Sequence, residues 1–493
     1  MNRTRKLAGM RMALLTLLLL ASPVLSLAQA TDWHNITVPP LPAFHPQEPK
    51  RFELPNGMVI FLQEDHELPF INGFARIRGG SRSEPAAKAG LVSMYADTWR
   101  TGGTTAQNGD QLDDFLEARA AKVETGAGSD STTIGMTSLK QDFYDVFKVV
   151  IDLLQNPQFR EDKLEIAKKG AYDEISRRND DTGSIVGREA AKLGYGPQSP
   201  YARVPEYATI AAITRQDLVD WHKTHVFPNN IILGLTGDFD TAAMEGKLRQ
   251  AFASWQKGPA VKKPDVPINP AKPGYYLVNK PDVNQSAISM TDLGTDRRNP
   301  DYYAIQVFNE AFGGSFSSRL FSNIRSKLGL AYDVSGGVGT TWDHPGLTRI
   351  GMSTKSESTV EAIQALDAQI DELKTNPIND TEIKRAKDSI LNSFIFAFDS
   401  PAKIMRERMA YEFYGYPPDF LERYRAGVEK VTKEDVARVA AKYLHRDKMP
   451  ILVVGNAAEF GKPLSTLGGV TQLDIAIPPP PGEAAGGSAK PSQ

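Results

Sequence analysis

Cysteine is absent from all 493 residues. That excludes disulfides, a thiolate nucleophile, a lipid-modified cysteine behind a leader, and any cysteine-ligated metal. Histidine is scarce too, with seven in the chain and none between His66 and His222. An excess of one charge is also lacking. Lys and Arg number 57 against 59 Asp and Glu, a formal charge of −2, so the balance gives no support for nucleic-acid binding. No nucleophile elbow is present from which to build a serine triad. The apolar run near the N-terminus, MALLTLLLLASPVL, is short for a membrane span.

That run instead reads as the core of a secretory leader over residues 1–30. Arg3, Arg5, Lys6 and Arg11 precede or flank it, and Ala28-Gln29-Ala30 offers small residues for cleavage. The expectation is export to a periplasm or similar compartment, with no stable membrane insertion. Removing the leader, with its four basic and no acidic residues, takes the charge from −2 to −6. Residues 31–50 are Pro-rich and extended. RFELPNGMVIFLQED then predicts a hairpin around Asn56-Gly57, PFINGFARIRGGS a strand, and Ala86 to Trp99 a helix.

An internal repeat organises the rest. ITRQDLVDWHKTHVFPNNIILGLTG (Ile213–Gly237) and VTKEDVARVAAKYLHRDKMPILVVG (Val431–Gly455) align without a gap at an offset of 218 residues. Thr214 and Thr432 are placed to cap a helix, with Asp217 and Asp435 in its first turn. A break, a short apolar strand and a glycine follow each helix. Between the copies lies a Pro- and Lys-rich linker, 256–274. The fold class is therefore α+β: two homologous domains, 51–255 and 275–462, each a mainly antiparallel sheet with amphipathic helices packed on it. Residues 478–493 lack apolar content and read as a disordered tail.

The stretch AGLVSMYADTWRTGGT places Ser93, Ala96 and Asp97 on one helix face. It follows GGSRSEP and precedes KVETGAGSDSTTIGMTSLK, LEIAKKGAYDEISRRNDD and, much later, SSRLFSNIRSKLGLAYDVSGGV (Ser317–Val338). In this order the motifs resemble the pitrilysin/insulinase family of inverted-motif zinc peptidases, which includes the processing peptidases. The resemblance runs over nearly all of residues 50–460. It implies a duplicated chain forming half of a clamshell.

The family's chemistry needs His-x-x-Glu-His on the first-half helix, two imidazoles for zinc and a carboxylate as general base, with a Glu from a later helix. Here the first His falls on Ser93, the Glu on Ala96 and the second His on Asp97. The later ligand falls on Glu174, which is retained, and a second acidic position of that helix falls on Ala167. A neutral hydroxyl, a methyl and two carboxylates make a poor zinc site, suited at most to a labile hard cation. No other histidines replace it. His222 and His225 lie in a repeat helix whose second copy does not repeat them, His34 and His45 lie in the Pro-rich lead, and His344 lies in a turn beside Pro345.

The second half keeps the family's Arg and Tyr, at Arg325 and Tyr332. The resemblance implies that they bind the substrate backbone and stabilise the intermediate at the other half's zinc, roles their donors suit. Gly313-Gly314 and the serines after them fit a loop feeding a helix, Arg319 is read as structural, and the strand near Met290 as a sheet edge for an extended peptide. The expectation is a non-catalytic, substrate-binding subunit with no cofactor of its own. Its partner would be a homologous subunit carrying the zinc motif and the zinc, forming a heterodimer that takes peptides. Two alternatives stay open: a peptidase-fold scaffold or binding protein, and an active zinc endopeptidase despite the altered motif.

Overall fold

The computed structural model describes residues 47–482. The leader, most of the Pro-rich lead and the tail beyond residue 482 lie outside the described residues.

The first half builds one sheet of six strands: β1 (Lys50–Glu53), β2 (Val59–Glu64), β3 (Phe70–Arg78), β4 (Lys122–Ala127), β5 (Ser131–Leu139) and β6 (Ile231–Gly237). The second half builds another from β7 (Gly274–Asn279), β8 (Gln285–Leu293), β10 (Asp333–Gly337), β12 (Leu347–Lys355), β13 (Pro450–Gly455) and β14 (Val470–Gln472). Two short strands, β9 (Thr295–Asp296) and β11 (Thr340–Thr341), pair separately. The strand orders correspond: β1-β2-β6-β3-β5-β4 in one sheet and β14-β7-β13-β8-β12-β10 in the other. Within the two sheets pairing is antiparallel except β2 with β6 and β7 with both β13 and β14; the separate β9–β11 pair is parallel too. The sheets are thus mainly antiparallel, with helices on them, as the sequence implies. β14 carries the second sheet past residue 462.

The repeat appears in three dimensions at its caps. Thr214 and Thr432 both accept from the N3 backbone N–H, and Asp217 and Asp435 both return a bond to the cap N–H. The expected hairpin also forms, Lys50 opposite Leu62 through Glu53 opposite Val59. Its turn is closed at Pro55-Asn56-Gly57 by Gly57 N–H to the Leu54 carbonyl at 2.8 Å and Leu54 N–H to the Met58 carbonyl at 2.9 Å, and the Asn56 side-chain amide donates to the carbonyls of Phe252 and Trp255 at 3.0 and 2.9 Å.

The halves are not separate in space. The Thr182–Tyr195 helix belongs to the first half by sequence but packs on β8 and β13 of the second sheet. The Pro401–Tyr414 helix belongs to the second half but packs on β2 and β6 of the first. Each half therefore gives one helix to the other, which the boundaries 51–255 and 275–462 do not convey. Strand composition follows from this exchange. Every residue of β6 and of β13 is buried, since both faces of each strand are covered. In β13, Ile451 and Val453 enter the second core, while Leu452 and Val454 meet Ile185, Ala190 and Leu193 of the donated helix. In β6, a Cβ on Gly234 would stand 2.5 Å from Met409 Sδ, so only glycine lets the donated helix approach that closely. Arg51 fixes the same helix through a two-pronged bond to Glu412 at 2.9 and 2.7 Å.

Three local expectations are corrected. The helix expected over Ala86–Trp99 is a short turn, Ala86–Lys88, then a separate helix, Leu91–Thr101. Gly90 breaks the chain with φ near 101°, and the Glu84 carboxylate accepts from the N–H groups of Gly90 and Val92 at 2.9 and 3.0 Å, capping the new start. Gly313 and Gly314 close a π-helical turn, Glu310–Gly314, that extends the Tyr302–Asn309 helix, and so are not in a loop. Met290 is not on a sheet edge: β8 is flanked on both sides, with Met290 opposite Ile350 and Ile451. The edges are β10, which pairs with β12 alone, and β14, which pairs with β7 alone.

Candidate functional site

The Leu91–Thr101 helix is held from below. Leu91, Val92, Met94, Tyr95, Ala96, Thr98 and Trp99 are buried. Trp99 donates its indole N–H to the Leu153 carbonyl at 2.7 Å. Tyr95 bonds His222 Nδ1 at 2.9 Å, and His222 Nε2 meets the Leu154 carbonyl at 3.0 Å. A carbonyl can only accept, so Nε2 carries the proton and Nδ1 takes the tyrosine hydroxyl. Burial pushes the His222 pKa down to about 4, with the Leu154 carbonyl opposing it. His222 is a packing residue. His225 stacks on Trp221 at 3.8 Å, and His344 stacks on Tyr201 at 3.9 Å.

The opposite face of the helix opens into a cavity of about 750 Å³. Ser93, Ala96, Asp97, Ala167 and Glu174 all line it, so the residues matched one by one to the zinc site do converge. Glu174 comes from the Glu161–Arg177 helix, which packs against the Leu91–Thr101 helix. Desolvation against the cleft wall, and then the charge of Glu174, raise the pKa of Asp97. The two carboxylates therefore sense each other across the cleft. The Ala96 carbonyl accepts from the Thr125 hydroxyl at 2.6 Å, and its methyl side chain can neither take nor give a proton.

Zinc of the catalytic kind takes three protein ligands, mostly imidazole with one carboxylate. At the positions matched to the zinc ligands this cleft offers two carboxylates, Asp97 and Glu174, and one alcohol, Ser93; the further lining carboxylate, Asp113, is paired with Arg100. Among the described residues no group of three or more His, Cys, Asp or Glu side chains is placed to hold a metal ion. The residues present do not fit a catalytic zinc, and Ala96 leaves no side chain to activate water.

Arg178 also lines the cleft, a residue the sequence reading passed over. It donates to the Pro205 carbonyl at 3.0 Å and pairs with Glu206 at 2.8 Å. Its place four residues after Glu174 put it on the same face, which was the available signal.

Arg325 and Tyr332 do not line this cleft. They meet each other elsewhere. The Arg325 guanidinium lies 4.9 Å from the centre of the Tyr332 ring and 4.6 Å from that of Phe321. Tyr332 is 80% exposed, and among the described residues no carboxylate pairs with Arg325. Arg325 sits in a π-helical segment, Phe321–Lys327, a rare geometry frequently found at functional sites. Tyr332 immediately precedes the edge strand β10. Arg319 is spent on structure: buried, it grips Glu382 at 2.9 and 2.6 Å and the carbonyls of Asn376 and Pro377.

Comparison with known proteins adds to this geometry. Residues 61–192 match the insulinase family, peptidase family M16, and residues 212–390 match the peptidase M16 inactive domain. The chain belongs to the insulinase peptidase family. A crystal structure described as a peptidase M16 inactive domain from Pseudomonas fluorescens superposes with a TM-score of 0.75 at 26% identity, covering 85% of this chain and all of that one. A protease from Helicobacter pylori shares the fold, with a TM-score of 0.73 at 16% identity over 83% of this chain and 100% of that chain. An uncharacterized zinc protease of Rickettsia felis is 23% identical over 79% of this chain and 93% of its own length. No helix among the described residues is long and apolar enough to cross a membrane.

Proposed function

We propose that this chain is the non-catalytic, substrate-binding subunit of an exported heterodimeric zinc peptidase. The observation that carries the reading is the contrast within one chain. The zinc-motif positions converge on a cleft but present Ser93, Ala96 and Asp97, while a half-buried Arg325 stands beside an exposed Tyr332 with no carboxylate partner among the described residues. A homologous subunit with an intact His-x-x-Glu-His would hold the zinc. In the closed pair, Arg325 would donate its fork of charged hydrogen bonds to the peptide backbone. The Tyr332 hydroxyl would donate to the carbonyl oxygen as it gains charge. The edge strand β10 would take an extended peptide as an added strand.

The test is reconstitution. The purified chain alone is expected to retain no stoichiometric zinc and to cleave no peptide, and the pair with its motif-bearing homologue is expected to do both. A chain that retains one zinc and cleaves peptides by itself, or a pair whose activity survives replacement of both Arg325 and Tyr332, overturns the reading.

A further inference from the structure

A second cavity, of about 190 Å³, lies where the end of β3, the 261–264 stretch and the C-terminal end of the donated Pro401–Tyr414 helix come together. Five cationic side chains line it: Arg78, Arg82, Lys262, Lys263 and Arg298. Only two carboxylates do, Asp130 and Asp343, and both are already engaged. Asp343 takes Arg82 at 2.8 Å and Lys263 at 3.7 Å, with His344 at 3.0 Å. Asp130 takes Arg76 at 3.1 Å and also the Tyr414 hydroxyl. Arg298 donates to the Tyr414 carbonyl at 2.6 Å.

Arg78 and Lys262 are left over. Among the described residues neither has an ion pair. Arg78 is half-buried, and its one close polar-group contact is with a ring: its guanidinium lies 4.5 Å from the Phe413 centroid, while Arg76 lies 4.1 Å from the same centroid. Two guanidinium groups thus share one aromatic ring. Burial lowers the pKa of Arg78, and the neighbouring charge of Arg76 lowers it further, with Arg82 adding to the effect. Glu412, the carboxylate that most opposes this, is itself held in the two-pronged bond to Arg51. A concave site with surplus fixed positive charge in reduced dielectric favours an anion. A cavity of this size has room for a compact anion. The Ser83 hydroxyl is a further lining donor.

We propose that this pocket binds a compact inorganic oxyanion of the phosphate or sulfate class, with Arg78 as its main ligand. The anion then ties the 261–264 stretch to the first sheet and to the donated helix, so the site is a clamp between the halves.

The test uses the full chain. Thermal unfolding is followed while sodium phosphate or sodium sulfate is titrated against sodium chloride at matched ionic strength. A saturable rise in Tm with the oxyanions and not with chloride is expected. Arg78→Gln with an unchanged far-UV spectrum should weaken the apparent affinity about tenfold or more, in line with loss of a partner to a desolvated charge. If that variant does not fold, Lys262→Gln decides, because this exposed side chain has no partner to lose; a measurable loss of affinity supports the site. A rise that chloride reproduces, or unchanged affinity in the deciding variant, overturns the proposal.

Discussion

Two stretches of the molecule stand at matching places in the repeat. In the first half, the Leu91–Thr101 helix lies between β3 and the edge strand β4. In the second, the Tyr302–Asn309 helix and the π-helical segment after it lie between β8 and the edge strand β10. The first has the buried frame of its helix and lacks the His-x-x-Glu-His side chains. Tyr95 and Trp99 are still fully buried and hydrogen-bonded, while the exposed positions 93 and 97 have become Ser and Asp. The second presents Arg325, half-buried on the π-helical segment Phe321–Lys327, and Tyr332, exposed just beyond it. The difference separates what a helix needs to fold from what a site needs to react. Buried side chains carry the first, and solvent-facing ones can change without touching it.

Restoring the emptied helix is the most severe way to break the comparison. Ser93→His, Ala96→Glu and Asp97→His together, with Glu174 in place, should give a chain that retains one equivalent of zinc after dialysis where the unaltered chain is expected to retain none, measured by metal analysis. Next, Arg325→Ala or Tyr332→Phe should lower turnover of the reconstituted pair by about 10²- to 10³-fold, whereas Asp97→Ala should change it little.

Trp99→Ala should cost about 3–5 kcal/mol in denaturant unfolding, since the buried indole is what the emptied helix still stands on. His222 gives a smaller, pH-dependent effect. Above pH 6.5 the imidazole is neutral in both states. Between 6.5 and about 4 the unfolded chain binds a proton that the folded chain excludes, so stability falls as pH drops through that window, by up to about 3 kcal/mol. The aligned position of the second repeat is Ala440, so His222→Gln should flatten the slope. The least effect belongs to the repeated caps. Thr214→Ala and Thr432→Ala should each cost about 1 kcal/mol; markedly unequal losses would show that the two capping boxes are not energetic equivalents.

Much of this was legible in the chain. Local patterns were reliable where the physics is local: the Thr-x-x-Asp caps, the strand over Phe70–Arg78, and the helical face that gathers Ser93, Ala96 and Asp97. Ala167 and Glu174 joined that face only through the family match, since nothing in spacing brings residue 174 to residue 97. What failed to show was partnership. The apolar runs of β6 and β13 announce burial on both faces but not which helix supplies the second cover. A strand such as β8 reads the same in a sheet's centre as on its edge. Glu84 carries no mark of capping a helix that begins several residues later, because the chain reverses at Gly90 first. Arg78 reads as an ordinary strand charge until Phe413, from the other half, is brought beside it.

The exchanged helices make this polypeptide a fused dimer. Either half alone would leave one face of its sheet bare, and the matching strand orders mean that a second copy of that half could supply the missing layer about a twofold axis. The residues from 256 to 273 then add a covalent tether to a pairing the helices already make, while their own contacts, such as Asn269 N–H to the Tyr195 carbonyl at 2.9 Å, lay the tether along both halves. A protease cut there would leave two fragments that stay locked together, each holding a piece of the other.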